Sequence, residues 1–196
     1  MHVALLRGIN VGTAKRVAMV ELRALVEELG YSEVRTLLNS GNVVFSAAKA
    51  EPREMALRIE KALEEKLGVS ARVMVISAEE LAEVVAGNPL GKVADNPSRL
   101  LVGILGDPAD RGKLAEIAKM DWGKERIALG AARPGAKGLG GKGTGGAARA
   151  VYMLMPQGVI ESKLNAAVSK ALGDGMTSRN WATMLKLKEM TEEGRG

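Results

Sequence analysis

The chain has 196 residues, 46% of them hydrophobic and 26% charged, so it can bury a core without disulfides or metals. It has no cysteine and a single histidine, His2, which excludes a thiol nucleophile, a Cys/His zinc site and any triad needing a histidine elsewhere. Lys and Arg exceed Asp and Glu by 28 to 23, for a net charge of +5. We expect a cytoplasmic protein with no cofactor, metal or membrane segment.

The first 77 residues alternate between strand and helix patterns. Short apolar runs bounded by turn residues predict strands at 3–6, 34–38, 43–46 and 72–76. Apolar residues three and four apart predict helices at 17–29 and 52–67, each followed by a glycine that ends it. The order β-α-β-β-α-β is typical of a ferredoxin-like split fold.

The rest of the chain repeats this order less completely. Residues 78–98 are predicted to form a linker helix and loop, which separates a first domain at 1–77 from a second at 99–196. The second domain is predicted to contain strands at 100–105, 126–129 and 150–155 and helices at 107–119, from 161 and from about 178. We therefore predict an α/β (α+β) protein of two ferredoxin-like halves, the second degenerate and ending in a helix where a fourth strand would come.

Polar residues converge on one end of the first predicted sheet. In the split fold, the end of strand 1, the start of helix 1, the turn between strands 2 and 3, and the start of strand 4 all meet there. These segments supply Arg7, Asn10, Lys15, Arg16, Asn39, Ser40 and Asn42. Cations, amides and helix N-terminal N–H groups favour a small phosphate- or carboxylate-bearing ligand. The alternative for Arg7 is an intrachain salt bridge.

A second polar stretch, TSRNWATM, covers residues 177–184. With Thr177 as a helix N-cap, Trp181 would pack against Met176 and Arg179 would lie in the first turn, where a cation opposes the helix dipole. A shared anion would relieve that opposition. Arg179, Asn180 and Trp181 therefore join the candidate ligand-binding set, although an exposed arginine beside a core tryptophan is the alternative.

Most of the excess positive charge lies in residues 124–149, which surround a glycine-rich stretch at 135–146. Only Glu125 opposes the basic residues of this segment, which are Lys124, Arg126, Arg133, Lys137, Lys142 and Arg149. This favours phosphate-dominated nucleic-acid binding as an alternative function. A structural or self-association module is the third alternative, and the sequence leaves the oligomeric state and any enzymatic activity open.

Two segments resemble a known bacterial family, domain of unknown function 1697. They are LLRGINVGTAKRVAMVELRALVEELGYSEVRTLLNSGNVVFS near the N-terminus and SRNWATMLKL near the C-terminus. The motifs of the family fall on Arg7, Gly8, Asn10, Gly12, Ser40, Gly41, Asn42, Arg179, Asn180 and Trp181. The resemblance implies two ferredoxin-like halves, and it implies no particular activity. The 135–146 stretch looks like an insertion that is atypical of the family.

Overall fold

A computed structural model describes residues 1–10, 16–48, 51–131 and 146–193. Lys15, Arg133 and most of the glycine-rich stretch, with its two basic residues Lys137 and Lys142, lie outside these described ranges. The chain divides into two compact units. The first unit comprises Met1–Ala78 and Leu187–Gly196, and the second comprises Glu79–Lys186.

The first unit contains a four-stranded sheet. Its strands are β1 (His2–Leu6), β2 (Ser32–Leu37), β3 (Asn42–Ser46) and β4 (Val73–Ser77). The helices that accompany it are α1 (Met19–Glu28) and α2 (Pro52–Leu67). The strand order is β2-β3-β1-β4 and all neighbours are antiparallel, so β3 lies between β1 and β2.

One face of this sheet packs against α1 and α2. Alternate residues of the strands point to that face because successive side chains in a strand point to opposite sides. The buried residues that form this core include Ala4, Leu6, Val43, Phe45, Leu22, Val26, Met55, Ile59, Leu63 and Val75. Helix α2 has the bounds predicted from its apolar spacing, and it ends at Gly68, which adopts a left-handed conformation with φ +63°.

The second unit contains another four-stranded antiparallel sheet. Its strands are β5 (Leu100–Leu105), β6 (Arg126–Leu129), β7 (Ala150–Leu154) and β8 (Met176–Asn180), in the order β6-β7-β5-β8. The helices are α3 (Ala78–Ala86), α4 (Lys163–Leu172) and α5 (Trp181–Glu193). They are accompanied by 3-10 segments at Pro97–Arg99, Pro108–Leu114, Ile117–Lys119 and Gly146–Arg149.

Helix α5 begins in the second unit and ends in the first. Its last turns are tied to the first sheet by Arg35 on β2, which donates to the carbonyl of Met190 and forms an ion pair with Glu193 at 3.2 Å.

Strand β8 corrects the prediction of a helix from about Ser178. Residues 176–180 pair with β5, with Thr177 opposite Ile104 and Arg179 opposite Val102. The second sheet therefore has a fourth strand, and the prediction that it lacks one is wrong. The cause is long-range pairing, because β5 offers backbone hydrogen bonds that no local helix signal competes with successfully. The N-cap of α5 is accordingly Asn180, whose Oδ1 accepts from the Thr183 N–H at 2.8 Å.

The predicted helix at 107–119 is also wrong. The chain there forms two 3-10 segments, Pro108–Leu114 and Ile117–Lys119. Asp107 caps the first of them, because its Oδ1 accepts from the Ala109 N–H at 2.8 Å. Gly112 lies inside this segment, where glycine weakens an α-helix.

Gly41, at the start of β3, permits a close approach between chain segments. It has φ +72°, and a Cβ there would lie 2.7 Å from both Ile9 Cδ1 and Leu6 Cβ. Its carbonyl also accepts from the Leu6 N–H at 2.8 Å. A side chain at this position would therefore meet both backbone strain and a steric clash.

We expect Gly41→Ala to lower the free energy of unfolding by about 3 kcal/mol, because strain and overpacking combine. Gly68→Ala is the matched control, since Gly68 has φ +63° but no other atom lies within 4 Å of the place that a Cβ would occupy. That change should cost only about 1 kcal/mol. Urea unfolding followed by circular dichroism measures both, and equal losses would contradict a role for the contact.

Candidate functional site

The described members of the first predicted polar cluster lie at one end of the first sheet, and Lys15 lies outside the described residues. The strand register places Leu5 opposite Asn42 and Leu6 opposite Val73, and Leu37 is also opposite Asn42. The ends of β1 and β2 and the starts of β3 and β4 therefore share this end. We call it the polar end, and its described polar residues are Arg7, Asn10, Arg16, Asn39, Ser40, Asn42 and Arg72.

Asn10 fastens the loop after β1 to the turn before β3. Its Oδ1 accepts from the Val17 N–H at 2.9 Å, and its Nδ2 donates to the Val17 carbonyl at 2.9 Å. The same Nδ2 donates to the Asn39 carbonyl at 2.8 Å. Asn10 itself adopts φ +55°, a left-handed conformation that asparagine tolerates better than most residues. The Asn10 amide thus joins the loop to the turn.

Asn42 shapes the turn between β2 and β3 from inside. Its side chain is buried, and its Nδ2 donates to the Leu37 carbonyl at 2.8 Å and to Ser40 Oγ at 3.0 Å. Asn39 and Ser40 are exposed at the tip of the turn. The turn therefore presents an amide and a hydroxyl to solvent while Asn42 holds its shape.

Arg7 and Arg72 lie opposite each other where β1 ends and β4 begins. The Arg7 N–H donates to the Arg72 carbonyl at 2.8 Å, which extends the β1–β4 ladder by one residue. Like charges directly across two strands destabilise a sheet. Glu60 offsets this: its Oε2 lies 3.3 Å from Arg72 Nη1 and its Oε1 accepts from the Val73 N–H at 2.8 Å.

Sequence reasoning missed Arg72 as a member of this group. It is the first residue of the predicted fourth strand, and the start of that strand was expected at the same end as Arg7. The available signal was therefore topological. Arg16 is exposed in the loop that leads to α1.

The start of α1 is a weaker anion site than the sequence suggests. The Ala18 N–H already lies 3.4 Å from Glu21 Oε2, so a carboxylate of the chain itself occupies part of the helix terminus. The contribution of this helix to binding an external anion is correspondingly smaller.

Arg179 is a buried strand residue, not a first-turn helix residue as predicted. Its side chain is 8% exposed, and its Nη1 donates to Thr177 Oγ1 at 3.1 Å and to the Ser178 carbonyl at 2.8 Å. Burial lowers the pKa of its guanidinium to about 10. Asn180 caps α5 and Trp181 is the first residue of that helix. Arg179 belongs to the second unit, whereas Arg7 belongs to the first.

The described part of the basic segment includes one arginine that does not face solvent. Arg149 Nε donates to the Leu105 carbonyl at 2.8 Å, and its Nη1 lies 3.4 Å from Glu80 Oε1. The two side chains are only 11% and 10% exposed. Arg149 therefore holds the interior of the second unit together, whereas Lys124 and Arg126 are exposed.

The described ranges offer neither a metal site nor a membrane span. They contain no group of three or more His, Cys, Asp or Glu side chains arranged to hold a metal ion. No helix formed by described residues has the length and apolarity needed to cross a membrane.

Comparison with known proteins identifies relatives of this fold. The model of the family described as "Protein of unknown function (DUF1697)" matches residues 1–133, which include the whole polar end. No curated protein matches the sequence. The conserved bacterial protein SP0830 from Streptococcus pneumoniae has a similar structure, with a TM-score of 0.67, 18% sequence identity and 97% of each chain covered. At this identity the likeness concerns the fold alone.

We expect Asn10→Gly to lower the free energy of unfolding by about 2 kcal/mol more than Asn39→Gly does, because three partly exposed hydrogen bonds are lost. Glycine keeps the positive φ of Asn10 accessible, so the change isolates the amide. Asn39→Gly is the matched control, since its exposed side chain has no hydrogen bond to the described residues. Chemical denaturation measures both, and equal stabilities would show that the amide does not join loop and turn.

We expect Arg149→Met to lower the free energy of unfolding by about 3 kcal/mol, because it removes the guanidinium beside the buried Glu80 carboxylate. Lys124→Met removes the same charge from an exposed position and should change stability by less than about 0.5 kcal/mol. Thermal and urea unfolding distinguish the two. If Arg149→Met is as stable as the wild type, Arg149 contributes no more to stability than an exposed cation does.

Proposed function

The chain belongs to the DUF1697 family, and from this premise we propose that it binds a small phosphate- or carboxylate-bearing ligand at the polar end of the first sheet. The observation that carries the proposal is the set of three hydrogen bonds made by Asn10. They hold the loop that contains Arg7 against the turn that contains Asn39 and Ser40. A site fixed by its scaffold loses less entropy on binding than one assembled from mobile loops.

The residue types at the polar end suit an anion. A guanidinium presents five N–H donors in a planar fork that matches carboxylate and phosphate oxygens, and Arg7, Arg16 and Arg72 each carry one. The hydroxyl of Ser40 and the side-chain amide of Asn39 add neutral donors from the turn.

Binding is the activity that these contacts favour. Glu21 and Glu60 lie on the helices that support the polar end, and each already accepts a backbone N–H. A general base needs a lone pair directed at a substrate proton. The contacts of these two carboxylates favour positioning roles.

We also propose that both units are ferredoxin-like split folds, in a cytoplasmic protein with domains near 1–77 and 99–196. The support is that the two sheets have the same order: β5, β6, β7 and β8 occupy the places of β1, β2, β3 and β4. In the second unit, 3-10 segments stand where α1 stands in the first.

Isothermal titration calorimetry with inorganic phosphate tests the proposed site. We expect saturable binding to the wild-type protein that weakens at least about tenfold in Arg7→Gln, a loss of about 1.4 kcal/mol. Arg53→Gln is the matched control, because it removes the same charge from an exposed position near the start of α2, at the opposite end of the sheet. Its affinity should equal that of the wild type.

The nucleic-acid alternative gives a different result in the same assay. A mixed-sequence oligonucleotide would bind more tightly than phosphate, and its affinity would fall steeply between about 50 mM and about 200 mM salt. It would bind Arg7→Gln as tightly as it binds the wild type. That outcome would overturn the proposal and favour the basic 124–149 segment. Saturable phosphate binding that Arg7→Gln leaves unchanged would also overturn it.

A further inference from the structure

We infer that the polar end selects a small phosphate monoester over a carboxylate, with Arg72 as the residue that makes the distinction. This inference rests on the proposed function, since it concerns the same site. It depends on the cross-strand pair of Arg7 and Arg72 and on the partner that Glu60 provides.

The backbone places the two arginines side by side. The hydrogen bond from the Arg7 N–H to the Arg72 carbonyl, at 2.8 Å, marks a directly opposed pair in an antiparallel ladder. In such a pair the Cα atoms lie about 5.5 Å apart, and both side chains leave the same face of the sheet. The two side chains therefore start from adjacent backbone positions.

Phosphate and carboxylate groups differ in how many guanidinium groups they can satisfy. A carboxylate has two oxygens, and one arginine fork saturates them in a bidentate contact. The phosphate of a monoester has three terminal oxygens and a charge of about −1.5 to −2 at neutral pH. A pair of adjacent arginines therefore suits a phosphate better than it suits a carboxylate.

Glu60 already supplies the carboxylate that Arg72 can use. Its Oε2 lies 3.3 Å from Arg72 Nη1, while the hydrogen bond from Val73 to Oε1 fixes its position. The Arg72 side chain is nonetheless 61% exposed, and within the described ranges its Nη2 has no hydrogen-bond partner. Arg72 can therefore keep Glu60 on one nitrogen and donate to a ligand from the other.

Competing titrations with inorganic phosphate and acetate, at equal ionic strength, test the inference. We expect wild-type protein to bind phosphate at least about tenfold more tightly than acetate. Arg72→Gln should remove most of this preference by weakening phosphate alone, and Arg72→Lys should keep part of it because it retains the charge without the fork. Arg53→Gln should leave both affinities unchanged, and circular dichroism confirms that each variant is folded.

A second variant tests the inference by changing the partner of Arg72 instead of Arg72 itself. Glu60→Gln removes the carboxylate beside Arg72 and should strengthen the binding of both anions several-fold, because the guanidinium that it frees can donate to either one. The pH dependence gives an independent readout: phosphate affinity should rise as the second proton of phosphate dissociates, and Arg72→Gln should flatten that rise.

The outcomes separate the inference from the proposed function. If neither phosphate nor acetate binds, the proposed function fails. If both bind with equal affinity, or if Arg72→Gln weakens both equally, the inference is overturned and the anion site remains. A 5′-phosphorylated oligonucleotide that binds much more tightly than inorganic phosphate or glycerol phosphate would also overturn it, since the ligand would then be a nucleic-acid end.

Discussion

The amide of Asn10 is the constraint on which the polar end depends. The residues that directly follow β1 and the turn before β3 are separate in sequence. Three hydrogen bonds from one side chain join them to each other and to the residue that precedes α1 by two positions. Asn42 does the same within the turn, where its buried amide reaches Leu37 and Ser40. Two of the amides that the sequence offers as ligand groups thus hold the polar end in shape.

Much of the first unit can be predicted from its sequence because its signals are local. The apolar spacing of 52–67 and the glycine after it define α2 at both ends, and the short runs before and after NSGN define β2 and β3 to within two residues. The right-handed crossover then fixes which strand ends meet. The convergence of Arg7, Asn10 and the turn follows from these steps alone.

In the second unit, β5, β6 and β7 follow their predicted bounds to within one residue, whereas β8 depends on pairing that is distant in sequence. Strand β8 consists of Met-Thr-Ser-Arg-Asn, which has no apolar alternation, and it forms because β5 lies beside it. Thr177 and Ser178 are typical helix-cap residues, so a local reading starts the helix too early, whereas the true cap is Asn180. Arg72 was missed for a related reason. It lies opposite Arg7 on a neighbouring strand, and the spacing of residues within either segment does not reveal that pairing.

The arginines of this chain show why burial decides what a cation can do. Arg149 and Arg179 are almost fully enclosed, and their donors are directed to carbonyl and hydroxyl oxygens of the chain and, for Arg149, to Glu80. Removing an arginine from water is costly unless such partners replace it, so the contacts of these two residues offset the cost of their burial. Arg72 is mostly exposed, and Glu60 engages only one of its nitrogens. Unlike the two enclosed arginines, it combines a fixed backbone position with donors that face solvent, and this combination is what recognition of an anion requires.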